Sequence, residues 1–159
     1  MITFEKIRAT VTRYLKANFN GIQVSSKSVK DGFARPSFKV ELDNVKREGH
    51  LTQVERACTV RIFYFPKDEN NSIELLDVQE KLGDLFDLKF SIEDRHLDIN
   101  EPNFDEIDGV LQFEFDLQFF DGREFENEEI GIEDEIKNGK DFYEKYPIEL
   151  MGELVEEGD

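Results

Sequence analysis

The 37 Asp and Glu residues among 159 are the groups in this chain best placed to do chemistry. Paired carboxylates can act as general acid and base, or hold a divalent cation through oxygen ligands. At this density some acids fall together by chance, as in Asp105, Glu106 and Asp108 or Glu133, Asp134 and Glu135, so pairing alone reads as a solvated surface. Asp121, Arg123, Phe125 and Asn127 fail as a calcium loop because the turn glycine and closing glutamate are misplaced. His50 and His96 each lack a second histidine at metal-ligand spacing and read as solvated. Cys58 is the sole cysteine, which excludes an internal disulfide and a thiolate cluster within one chain. Lying in an apolar-rich segment, residues 51–65, it reads as a small buried hydrophobe rather than a nucleophile. Phosphate-cradling and nucleophile-elbow motifs are missing, and Gly131 and Gly139 stand apart among charged residues. These residues point away from catalysis, and neither an enzyme nor a cofactor is expected.

Charge narrows the partners. A formal charge of −17 opposes binding to a nucleic-acid backbone, which needs clustered Lys and Arg to displace counterions. It is unevenly spread: residues 121–159 hold 15 acids against 4 bases, and residues 1–120 hold 22 against 16. No apolar run approaches the roughly 18 residues of a membrane helix, and no secretory leader is seen, so a soluble, cytosolic chain is expected.

The elements that would carry these side chains follow from periodicity. Phe4, Ile7, Val11, Tyr14 and Leu15 lie on one helical face, with Thr3 as N-cap and Asn20-Gly21 as the stop. Ile22 and Val24 open a short strand, after which residues 25–31 read as an irregular loop. Phe38, Val40 and Leu42 alternate as a half-buried strand after Pro36. Residues 43–51 read as a polar hairpin leading into a long aromatic strand that ends at Phe65. Ile73, Leu75, Leu76, Val78, Leu82, Leu85 and Phe86 mark a second helix, capped by Asn71 or Ser72. Short strands are expected at residues 88–92 and 97–99, then a polar turn region over residues 100–109. In residues 110–120, Leu111, Phe113, Phe115, Leu117 and Phe119 face one way, and Gln112, Glu114, Asp116 and Gln118 the other. This order predicts an α+β fold: a largely antiparallel or mixed β-sheet with two helices packed on one face, over residues 1–121. Residues 122–159 read as an acidic extension that orders against a partner or stays disordered, with Phe142, Tyr143, Tyr146, Leu150 and Leu154 along one side of a short helix broken at Pro147.

The stretch Lys30-Asp31-Gly32-Phe33-Ala34-Arg35-Pro36-Ser37-Phe38 resembles the K-x-G-F-x-x-P-x-F segment of the phage tail terminator family of Gram-positive phages and prophages. The likeness continues through Arg61-Ile62-Phe63-Tyr64-Phe65-Pro66, the helix over residues 74–86, and the strand opened by Asp108-Gly109-Val110-Leu111-Gln112-Phe113. The resemblance implies a structural virion protein of a long-tailed phage, present in the host cytoplasm during assembly. It implies a hexameric homo-oligomer ring that caps the tail-tube protein, stops tube growth and offers a docking surface to head–tail connector or neck proteins. DNA would then pass through the lumen without specific binding, and an acidic wall would favour its passage. Lumen candidates are Glu101, Asp105, Glu106, Asp108, Glu114 and Asp116; interface candidates are Lys27, Lys30, Phe33, Arg35, Lys46 and Arg47, with a basic residue docking on an acidic neighbour. Competing readings are another neck protein, an acidic DNA mimic that occupies a basic groove, and, most weakly, an enzyme built from scattered carboxylates.

Overall fold

A computed structural model of the chain describes residues 1–25, 34–68 and 70–123. Helix α1, Phe4–Asn18, begins where the Thr3 side chain accepts the Lys6 N–H at 3.2 Å, and it buries Ile7, Val11 and Leu15. Strand β1, Gln23–Ser25, runs parallel to the start of β2, Ser37–Gly49. Strand β3, Gln53–Phe65, returns antiparallel along the whole of β2. Helix α2, Ser72–Leu85, is capped by Asn71, whose side chain accepts the Glu74 N–H. Glu74 in turn accepts the Tyr64 hydroxyl at 2.6 Å and the Lys67 N–H at 3.0 Å, tying the helix start to the end of β3. A small hairpin, β4 Lys89–Ile92 and β5 Arg95–Asp98, precedes β6, Asn100–Ile107, and β7, Val110–Gly122.

The result is the expected α+β architecture, a mixed five-stranded sheet in the order β1-β2-β3-β7-β6 with two helices on one face. The alternation read in β7 is the observed one, with Leu111, Phe113, Phe115, Leu117 and Phe119 all buried. Phe86, at the C-terminal end of α2, gathers the core: its ring lies 5.9 Å from Tyr14, 6.3 Å from Phe90, 6.2 Å from Phe113 and 5.4 Å from Phe115. One residue thus joins α1, α2, β4 and β7, all through apolar burial.

Three expectations need correction. The polar turn region at residues 100–109 is instead strand β6 closed by a tight turn at Asp108-Gly109. As an edge strand it sends only Phe104 inward, stacked 4.3 Å from Phe113, so it carries no alternation to read, and Pro102 sits at its register irregularity between Asn100 and Asn103. The polar hairpin at residues 43–51 is mostly strand: β2 runs to Gly49, bulged between Asp43 and Lys46 with Asn44 at φ 50°. Its outer half is exposed on both faces, so Asp43, Lys46, Arg47 and Glu48 are tolerated there beside Asn44 and an exposed Val45. In α2 the buried stripe is Leu75, Val78 and Leu82, and Ile73 and Leu76 point to solvent. The expected loop at 25–31 lies largely, and the C-terminal helix wholly, outside the described residues.

Candidate functional site

With both helices on one side, the other face of the sheet is built from β2, β3, β7 and β6, and its side chains form a polar network with an apolar trough beside it. Arg61 is central. Its guanidinium pairs with Asp43, and its Nε lies 3.0 Å from Glu114 Oε2. The hydrogen bond to Glu114 and the charges of both acids raise its pKa above the ordinary arginine value, against a smaller desolvation effect. Thr59 donates to Asp116 at 2.6 Å and accepts from Asn44 Nδ2 at 3.2 Å, while Lys39 pairs with Glu41 at 2.7 Å. A polar cleft of ≈ 560 Å³ includes Asn44, Lys46, Thr59, Glu101 and Asp116 in its walls. An apolar trough of ≈ 270 Å³ lies among Phe63, Phe65, Ile107 and Val110.

This arrangement separates the six acids named from the sequence. Glu114 and Asp116 stand on the sheet face, half-buried and already neutralised by Arg61 or bonded to Thr59. Glu101, Asp105, Glu106 and Asp108 lie exposed along β6 and at its end, without ion-pair partners among the described residues.

The basic candidates also divide. Arg35 donates to the Pro66 carbonyl at 3.1 Å, and its guanidinium lies 6.0 Å from the Phe65 ring centre, so it fastens the entry of β2 to the exit of β3. Lys46 and Arg47 are exposed on the outer half of β2 and have no ion-pair partner among the described residues. Lys27, Lys30 and Phe33 lie outside the described residues.

At the hairpin tip, Glu48 pairs across strands with Glu55, and His50 Nε2 lies 3.5 Å from Glu55 Oε2. Donor atoms of the three lie within 4.8 Å of one another. Zinc bonds of about 2.0–2.2 Å would bring tetrahedral ligands to roughly 3.3 Å separation. Glu55 already accepts from Gln118 at 2.5 Å, and Arg123, a cation, donates to the His50 carbonyl at 2.7 Å. The tip therefore reads as a hydrogen-bonded turn.

Cys58 is 3 % exposed, and burial, with the Asp116 charge adding to it, pushes its thiol up to about 11. It stays protonated and inert near neutral pH, as its apolar setting suggests. Sequence reasoning missed two buried charges. Arg56 lies with its guanidinium 5.3 Å over the Phe4 ring and its Nε without a hydrogen-bond partner among the described residues. Asp121 accepts both Arg95 and the Ile2 N–H. Their partners are 26 to 119 residues away, a distance at which sequence spacing gives no signal.

Among the described residues this face holds ions and apolar side chains in surfaces and edges; apart from it, Ser91 Oγ lies 2.7 Å from His96 Nδ1 as an exposed cross-strand pair of the β4–β5 hairpin. No helix among the described residues is long and apolar enough to cross a membrane. A family model described as phage tail terminator protein matches residues 6–129, more than three quarters of the chain. Comparison with curated proteins gives no match. The chain therefore belongs to the phage tail terminator family, a family of structural components of the virion tail.

Proposed function

We propose that this protein forms a ring, hexameric as the resemblance implies, that caps the tail tube, ends its growth and presents the neck or head–tail connector with a docking surface. The observation that carries this reading is the family match, which extends over nearly all of the described sheet and both helices. The site's character supports it, because contact surfaces serve assembly. A net charge of −17 suits a ring around DNA: acids facing the lumen keep phosphates from adhering as the genome slides through.

Purified protein, alone and with tail-tube protein, should give a species of about six times the 18.6 kDa chain mass by light scattering. Negative-stain images should show rings or ring-capped tube ends. A persistent monomer that ignores tubes would contradict the reading, and binding to head components alone would move the protein to another neck ring.

A further inference from the structure

The outer faces of the two helices carry opposite charge. On α1 the exposed charged residues are Glu5, Lys6, Arg8, Arg13 and Lys16, four bases against one acid in a chain of net charge −17. Lys6 is held by Glu93 at 2.9 Å, whereas Arg8, Arg13 and Lys16 have no ion-pair partner among the described residues. On α2 they are Asp77, Glu80, Lys81 and Asp84, three acids against one base, and the base is held by Asp77 at 3.3 Å. An exposed Asp87 follows just beyond the helix end.

Helical spacing gathers these groups. Ile73, Asp77, Glu80 and Asp84 recur at steps of three and four along one side of α2, with Leu76 beside them. Ile73 is 77 % exposed and Leu76 60 %, so the acidic face has an apolar pair left to solvent. On α1, Glu5, Ala9, Arg13 and Lys16 recur in the same way, with Arg8 and Thr12 at the border. The two helices also stand at different ends of the strand order. α1 packs on β1 and β2, and on β4, whereas α2 packs on β7 with its Gly83 against the Phe104 ring of β6.

We propose that the basic face of α1 docks on the acidic face of α2, around Ile73 and Leu76, in a second copy of this chain, and that this contact builds the ring. The proposal rests on the ring reading above and names the surfaces that make it. A second copy is the occupant because one chain carries both halves: unpaired cations on one helix, unpaired acids around an exposed apolar pair on the other. A nucleic acid would answer the cations of α1 but leave Ile73 and Leu76 in water. Small side chains at Ala9 and Thr12 leave room for that pair, and the aliphatic stems of Arg13 and Lys16 extend the apolar contact. At about 1.5 Å per residue each helix runs roughly 21–23 Å, so the faces match in length. Charge selects the face and speeds encounter, and burial of Ile73 and Leu76 holds it. Such a contact is heterologous: each copy gives a different surface to its two neighbours, so association runs head to tail and closes when the rotation permits.

Charge exchange tests this. Arg13→Glu/Lys16→Glu makes both faces acidic, and Glu80→Lys/Asp84→Lys makes both basic. Each variant alone, shown folded by circular dichroism, should lose about 10-fold in ring formation with tail-tube protein present, because like charges then face each other. An equimolar mixture should recover rings of wild-type mass with the two variants alternating, and so should one chain carrying all four changes. If reversal unfolds the protein, Ile73→Ser/Leu76→Ser, which removes only exposed side chains, should still lower assembly, and wild-type assembly by it would overturn the contact. Wild-type rings from either reversed variant alone, or no recovery in the mixture of folded variants, would overturn the helix contact and leave the ring reading standing. Loss of DNA binding without loss of rings in the α1 variant would do the same and assign its cations to nucleic acid. Failure of the unaltered protein to form rings at all would overturn both.

Discussion

Phe86→Ala should destabilise the folded body by about 3–5 kcal/mol, the cost of removing a large aromatic from a packed core and leaving a cavity. Phe86 is 1 % exposed, and its ring contacts reach α1 through Tyr14, β4 through Phe90 and β7 through Phe113 and Phe115. No neighbour can relax into the space without giving up a contact with another element. Against a typical total of about 5–15 kcal/mol for a domain, such a loss is large enough to populate unfolded chains. Phe86→Leu keeps most of the volume and should cost only about 1–1.5 kcal/mol. Urea unfolding midpoints measure both. An Ala variant within about 1 kcal/mol of the parent would mean that the aromatic cluster is not the centre of this core.

Asp121→Ala should cost about 2–3 kcal/mol, the largest effect expected of any charged residue here. The Asp121 side chain is 7 % exposed and accepts Arg95 and, at 3.0 Å, the Ile2 N–H. Removing it leaves the N–H of Ile2, itself 1 % exposed, without an acceptor and takes the carboxylate from Arg95. Arg95 retains a hydrogen bond to the Phe120 carbonyl and is one-third exposed, so water compensates it in part, which keeps the expected loss below that of a fully buried pair. Asp121→Asn preserves an acceptor for Ile2 and should lose about half as much. Equal losses for Ala and Asn would assign the effect to charge rather than to the stranded N–H.

How much of this was legible follows from where each element lies. α1, β3 and β7 have one buried face each, and that face imposes a period that the sequence displays. β6 and the outer half of β2 escape because they bury almost nothing: Phe104 is the only inward anchor in one, and residues 43–49 are exposed in the other. The same lack of burial made α2 look wider than it is, since Ile73 and Leu76 add apolar character without packing. Lys46, Arg47 and the acids of residues 101–108 were visible as charges, but their placement on one sheet depends on the pairing of β6 with β7, which no local pattern announces. The Asp121 link and the Arg61 network join residues far apart in sequence, and only the folded register brings them together.

The most direct test is the length of tail tubes assembled from tail-tube protein with and without this chain. Termination predicts uniform tubes, each closed at one end by extra density, when the protein is present, and overlong, variable tubes when it is omitted. Tube lengths that do not change on adding the protein would contradict the account.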